Sequence, residues 1–347
     1  EQDGRCRQQI QPMQPITLDV VDLSELAGNA QEDEVRRHAQ AEAARPFDLS
    51  RDLMLRCQLL TLTAEETIVL FTLHHIASDG WSMGLLVKEF MAFYQGYVEG
   101  RLSPLPDLAV QYADYAHWQR SEAQEAVLAQ ELAYWRSHLS GLPSVHGLPL
   151  DKLRPARQSY HAGHYRQRLS QGLQSALQAL AQSEDASLFM VLQSAFALLL
   201  SRWSHEDDIV MGTPIAGRMH KDVEPLIGFF LNNLVFRTQV DGAQSYRALL
   251  AQAKENAIGP FENAQYQGRA RGETERSQNR DRAPHGGKGC RSGKELAVLV
   301  RMELGQQVGP VNRARIIGRN RYVYEGYPRV PVEATDQPDF AATERAR

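Results

Sequence analysis

Cysteine is scarce in this chain: three in 347 residues, Cys6, Cys57 and Cys290, far apart and with no CxxC pair. That spacing offers neither a disulfide framework nor a zinc cluster, so no metal is expected and a reducing cytoplasm is the expected setting. No stretch approaches the roughly 18 consecutive apolar residues of a membrane span, which excludes a membrane partner of that kind. The opening Glu1-Gln-Asp-Gly-Arg has neither an initiator Met nor a signal-type apolar run, and reads as a fragment without a targeting segment. Leucine nearly disappears after Tyr266, with only Leu296, Leu299 and Leu304 remaining, and Arg269 to Gly293 has no apolar period.

What is present divides by position. The net charge of −4 splits into +6 over residues 267–347, where 16 Lys+Arg face 10 Asp+Glu, and −10 over residues 1–266. The basic tail also holds 10 of the 25 glycines. Its first part lacks the interleaved aromatics of a nucleic-acid arm, so no nucleic-acid partner is expected. The 43% apolar content is enough for a sizeable core, and the length suits two domains or lobes.

Periodicity gives a mixed α/β reading. Strands are expected at Ile16–Val21, Leu53–Thr61 and Thr67–His75, the last two joined as a hairpin through Thr63-Ala-Glu-Glu. Helices are expected at Glu32–Ala44, Trp81–Val98, from Val110 to Trp118, and at Glu122–Leu139. The turn-rich Ser140-Gly-Leu-Pro-Ser-Val-His-Gly-Leu-Pro marks the expected lobe boundary. Beyond it come a strand at His161–Leu169, helices at Gln171–Gln182 and Leu188–Trp203, a strand from Asp207, a loop and strand from Ile227, and a helix at Tyr246–Ile258. The Leu188–Trp203 helix is nearly all apolar and is expected to be buried.

The stretch Phe71-Thr-Leu-His74-His75-Ile-Ala-Ser-Asp79-Gly80-Trp81-Ser82 carries the chemistry. It reads as a buried strand end, a tight turn eased by Gly80, and a helix start. Side chains alternate along a strand, so His74 and His75 point to opposite faces: one is a base candidate, the other structural. An imidazole titrates near 6.5, so a neutral one is available at pH 7 to accept a proton. Asp79 fits either a His-Asp dyad or a structural role, and a buried carboxylate left unpaired is costly. No GxSxG elbow surrounds Ser82, so it reads as a helix-start residue rather than a nucleophile. Trp81 is expected to pack. Tyr112, Tyr115 and Trp118 form an aromatic face at helical spacing, read as core.

His74-His75-Ile-Ala-Ser-Asp79-Gly80 resembles the HHxxxDG signature of the condensation domains of nonribosomal peptide synthetases. Three further matches follow in order. Tyr112-Ala-Asp114-Tyr115-Ala116-His-Trp118 is similar to the family's YxDYAxW segment, Gly212-Thr-Pro214-Ile-Ala-Gly217-Arg218 to its GTPxAxR, and Ile227-Gly228-Phe229-Phe230-Leu-Asn232-Asn233-Leu-Val-Phe-Arg237 to its IGxFVNTxxxR. The resemblance runs to about residue 266. The family's upstream RHExLRT segment and its later (H/N)QDxPFE motif have no match, so the reading expects an N-terminally truncated domain with a frameshifted, fused or misassembled tail.

The resemblance implies two chloramphenicol-acetyltransferase-like lobes forming a V with a central tunnel: an incomplete N-terminal lobe at 1–145, the start of the C-terminal lobe at 146–266, and an atypical tail at 267–347, frameshifted or disordered. It implies an acyl or peptidyl transferase that joins a carrier-bound acceptor amine to a carrier-bound thioester. No cofactor is bound directly. The 4′-phosphopantetheine is carried by the partners, which are donor and acceptor peptidyl carrier domains beside the adenylation domain of the same synthetase. His75 is the expected tunnel histidine and His74 the structural one. Asp79, by resemblance, holds the loop through an arginine, either absent here or supplied by Arg218. The Gly80 amide is a candidate oxyanion donor. Ser82, Arg218, Asn232 and Asn233 are substrate or tunnel candidates, with the asparagines also read as turn formers, and Arg218 and Arg237 also suit a pantetheine phosphate or carrier surface. Ala77-Ser78 and Trp81-Ser82 look like domains taking an L-configured donor. The alternatives are a non-catalytic or defective fragment, whose sheet edges and apolar face lie uncovered and which the tail does little to complete, and a starter domain, epimerisation domain or coenzyme-A-dependent acyltransferase.

Overall fold

The strand that ends at His74 lies in the middle of a sheet, and it is apolar on both faces because helices cover both. A computed structural model describes residues 8–12, 18–101, 105–142, 145–153, 165 and 167–266, together with the backbone of 295–303 and 314–317. The chain divides into two compact units. One holds residues 1–112, 220–230 and 285–347, the other 113–219 and 231–284. Ser140 to Pro149, the expected boundary, lies inside the second unit.

In the first unit, β1 (Asp19–Asp22) pairs parallel with β2 (Leu55–Thr63). A parallel pair needs a crossover, which α1 (Gly28–Ala44) supplies. The left-handed Gly28, at φ +57°, opens that helix, and Arg45-Pro46 ends it. β2 turns through Ala64-Glu65 into the antiparallel β3 (Glu66–His74). Ile68 and Leu70 of β3 join Leu60 and Leu62 of β2 against Val35 and Ala39 of α1. Val69, Phe71 and Leu73 face the other way, onto Met83 and Val87 of α2 (Gly80–Val98). A strand covered on both faces reads as a continuous apolar run, as Thr67–Leu73 does.

The free edge of β3 is taken by the tail. Glu295–Glu303, β6, pairs antiparallel along the whole of β3, from Glu66↔Glu303 to His74↔Glu295, and β7 (Ala314–Ile317) follows, giving the order β1-β2-β3-β6-β7. This overturns the expectation of an uncovered sheet edge there. Glu-Leu-Ala-Val-Leu-Val-Arg-Met-Glu is a short β-prone run inside a charged, Gly-rich surrounding, and the average over the tail conceals it.

The second unit is built from α4 (Glu122–His138), α5 (Gln171–Ser183), α6 (Leu188–Ser204), α7 (Tyr246–Glu262) and most of α3 (Tyr112–Trp118), with the antiparallel pair β4 (Asp208–Ile215) and β5 (Asn232–Gln239). Four of these helices begin with a serine whose hydroxyl accepts the N–H three residues on: Ser121, Ser170, Ser187 and Ser245. Trp135 of α4, Leu234 and Phe236 of β5, Ala257 of α7 and Tyr266 form one core cluster. The expected burial of α6 does not hold. Val191, Ser194 and Ala197 are buried, but Phe189, Leu192, Phe196, Leu199 and Trp203 make an exposed stripe, with Phe196 at 51% and Trp203 at 62%. A helix apolar all round cannot show which side is covered. The strand expected at His161–Leu169 lies largely outside the described residues, as do Cys6, Cys290 and the start of the first expected strand; Tyr165 and Gln167–Leu169 are not in a strand.

Candidate active site

β3 ends at His74, one residue short of the expected strand, and His75 is the first residue of the turn that follows. His74 is 5% exposed. Its Nδ1 accepts the Ile76 N–H at 3.0 Å and its carbonyl accepts the Ala77 N–H at 3.0 Å, which closes the turn. Burial holds its imidazole below the usual range, and the adjacent His75 adds to the effect. His75 is half-buried, its ring edge-on to Phe229 at 5.3 Å. The His75 Nδ1 lies 2.8 Å from the Ser78 carbonyl. A carbonyl only accepts, so Nδ1 carries the proton and the Nε2 lone pair of the neutral ring is left for another partner.

Asp79 is the N-cap of α2. Its Oδ1 accepts from the Ser82 N–H and the Ser82 hydroxyl, both at 2.8 Å, and Oδ2 accepts the Phe230 N–H at 3.0 Å. The carboxylate is thus spent on holding structure. Gly80 is the first residue of α2 and is not among the glycines with positive φ, which are Gly28, Gly100, Gly141 and Gly217 among the described residues. The turn therefore does not use glycine's left-handed freedom, contrary to expectation. As the first residue of a helix, Gly80 has no intrahelical acceptor for its N–H.

Ser82 differs from its expected role as a tunnel-lining group. It is 0% exposed, and besides Asp79 its oxygen meets the Gly228 carbonyl at 2.8 Å and accepts the Gly228 N–H at 3.0 Å. Trp81 is 37% exposed rather than packed, and its indole N–H donates to the Glu224 carbonyl at 3.0 Å. Residues 220–230, flanked in sequence by β4 and β5, therefore belong with the first unit through Glu224, Gly228 and Phe230. Tyr112, read as core, donates its hydroxyl to the Phe229 carbonyl at 2.9 Å. A methyl group on Gly228 would overlap the Tyr112 ring, so the glycine is required by close approach. Sequence reasoning misses this pairing because the two segments lie 117 residues apart.

The remaining candidates lie in the second unit. Asn232 is buried at the start of β5, where its amide donates to the Ala264 carbonyl at 2.6 Å and the Tyr266 carbonyl at 3.2 Å. It is a clamp on the chain and a strand residue, not a turn former. Asn233 is exposed on the opposite face of β5, and Arg218 is half-buried after the left-handed Gly217. Arg237 is engaged by Asp208, with Nε 2.9 Å from Oδ1, and by the His138 and Ser140 carbonyls. This ion pair holds the Asp208 carboxyl below the usual carboxylate range and replaces the expected phosphate role with a structural one. Among the described residues, no three of His, Cys, Asp or Glu converge as a metal site.

The Condensation domain family model matches residues 1–283. The chain belongs to the condensation-domain family. This condensation domain is 44% identical over 256 residues to a linear gramicidin synthase of Brevibacillus parabrevis, a match taking in 74% of the chain and 5% of that protein. Among solved structures it is similar to the X-domain from teicoplanin biosynthesis, with a TM-score of 0.67 at 31% identity over 74% of this chain and 57% of that one. It also matches a complex of the X-domain and OxyB, with a TM-score of 0.67 at 25% identity, covering 86% of this chain and 66% of that one. The mixed α/β fold is thus the chloramphenicol-acetyltransferase-like fold of condensation domains, as expected from the motifs. The chain spans 5% of the length of the gramicidin synthase it matches.

Proposed function

We propose that this condensation domain forms peptide bonds in nonribosomal peptide synthesis. The amine of a carrier-bound acceptor attacks the thioester carbonyl of a carrier-bound aminoacyl or peptidyl donor. The C–N bond forms, the C–S bond breaks, and the amine proton passes through an imidazole to the departing thiolate. One observation supports the assignment: the His75 Nδ1–H bond to the Ser78 carbonyl, which leaves the Nε2 lone pair for the amine in this proposal. The Gly80 amide, at the positive end of α2, is the proposed donor to the developing oxyanion. Asp79 is a positioning residue, because its carboxylate is occupied by Ser82 and Phe230. Arg218 and Asn233 are the proposed polar contacts of the substrates in the second unit.

The 4′-phosphopantetheine arms arrive as parts of the substrates, on donor and acceptor carrier domains, with an adenylation domain of the same synthetase supplying the activated amino acid. Tethering and orientation of both reactants supply much of the rate. A second reading, a docking module without transfer activity, is favoured by the likeness to an X-domain solved in complex with another protein. The two separate in one assay. A donor-loaded and an acceptor-loaded carrier are mixed with the chain or its His75→Ala variant, and dipeptide transfer is followed. Transfer that falls by at least 10²-fold in the variant is expected for a positioned acid–base group. Equal transfer in both removes His75 from the mechanism, and carrier binding without any transfer supports the docking module.

A further inference from the structure

Behind His74, on the face of the sheet away from α2, Arg56 of β2 is bonded on every side. Its Nε donates to Glu42 Oε1, Nη2 to the Arg45 carbonyl at 2.8 Å and the Glu42 carbonyl at 3.2 Å, and Nη1 to the Pro46 carbonyl at 3.2 Å. It thereby caps the last carbonyls of α1 and fixes residues 45–47. Its guanidinium carbon also lies 3.7 Å from the centre of the Phe47 ring. Phe47 in turn stands edge-to-face against His74, centroids 5.7 Å apart at 78°. His74 closes the turn from which His75 projects, through the Ile76 and Ala77 amides.

We propose that Arg56 is a positioning residue for His75, acting through Phe47 and the buried His74 turn. The inference rests on the reading of His75 as the group that meets the amine. A lysine cannot replace Arg56, because a single ammonium lacks the planar fork that reaches Glu42, three carbonyls and the Phe47 face together. The turn also needs a neutral His74. A protonated ring would carry hydrogen on Nδ1 and could no longer accept the Ile76 N–H. Phe47 faces the His74 ring, with the mutually paired Arg56 and Glu42 beyond it; His75 is adjacent, and the β6 backbone places position 295, a glutamate, opposite His74 in register. Burial against this wall holds the imidazole below its usual range.

The test uses the full chain and its Arg56→Lys and Phe47→Leu variants. Histidine carbon-13 NMR follows the His74 titration, assigned by its loss in His74→Asn, and carrier-to-carrier transfer is measured across pH. In both variants the His74 titration is expected to rise toward about 6.5, kcat to fall about ten- to hundredfold with KM little changed, and the acid limb of kcat to move upward with the titration. A purely structural role would lower the denaturation midpoint and leave the titration where it was, and that result overturns the proposal. Phe47→Leu removes the ring that walls His74 and leaves the Arg56 bonds to Glu42 and the backbone carbonyls, so its titration decides the matter where Arg56→Lys does not fold. A wild-type chain without transfer activity overturns the proposed function, and the NMR titration still decides whether Arg56 and Phe47 set the state of His74.

Discussion

Replacing Asp79 by asparagine keeps shape and removes one acceptor, so it isolates what the carboxylate does. Its partners include the Ser82 N–H and hydroxyl at Oδ1 and the Phe230 N–H at Oδ2. An asparagine offers one oxygen. Turned toward Ser82, its NH2 group confronts the Phe230 N–H; turned the other way, it confronts the Ser82 amide. Either way a donor that the fold has buried loses its partner, which costs about 1–3 kcal/mol, and the surviving bonds lose charge assistance worth about 1 kcal/mol more. A loss of about 2–4 kcal/mol is a large part of the 5–15 kcal/mol typical of a whole domain. With an m-value of about 2 kcal/mol per molar urea, the unfolding midpoint of Asp79→Asn falls by about 1–2 M at unchanged m. Urea titration followed by tryptophan fluorescence and circular dichroism reads it directly. A midpoint within about 0.2 M of wild type, far short of this range, would refute the buried-acceptor argument. Full stability with transfer lost would move Asp79 into the chemistry.

Two further outcomes follow from neighbouring contacts. Gly228→Ala pushes a methyl group into the Tyr112 ring, with the Phe230 ring also at 2.9 Å, and is expected to cost about 1–3 kcal/mol, reduced but not abolished in a Tyr112→Leu background; additive effects in this double-mutant cycle would disprove the Tyr112 clash as the main cause. Glu131, buried in α4, accepts the Tyr266 N–H at 2.6 Å, and burial raises its carboxyl above the usual glutamate range. Because the folded state holds that proton more tightly than the unfolded chain, its ionisation lowers stability as pH rises from the ordinary glutamate value through the raised one. Glu131→Gln keeps an acceptor for Tyr266 and should flatten that decline in urea midpoints measured upward from about pH 4.5; an unchanged slope would show that the decline originates elsewhere.

Local signals in the sequence account for much of this fold. Helical periodicity reveals the helices α4 to α7, and a serine stands at each start, where its hydroxyl accepts the N–H three residues on. The doubly covered β3 declares itself by a nearly unbroken apolar run that ends at His74. What stays hidden depends on distant partners. Asn232 has the look of a turn former until Ala264 and Tyr266 supply its acceptors, and Ser82 looks reachable until Gly228 covers it. Arg56 and Phe47 belong to no motif, and only their meeting at His74 gives them meaning. The exposed stripe on α6 escapes composition, which reports how apolar a helix is and not which side is covered.

The bonds from Asp79 to Phe230 and from Ser82 to Gly228 join positions 151 and 146 residues apart. During synthesis at about 5–20 residues per second, the histidine turn leaves the ribosome roughly 7–30 s before the stretch of chain that fastens it. Through that interval Asp79 can cap its own helix but has no Phe230 amide to accept, and the Ser82 hydroxyl waits without Gly228. The nascent chain therefore carries its two histidines well before it carries a finished site, and a premature stop ahead of residue 228 would release a product bearing the signature motif without the segment that locks it.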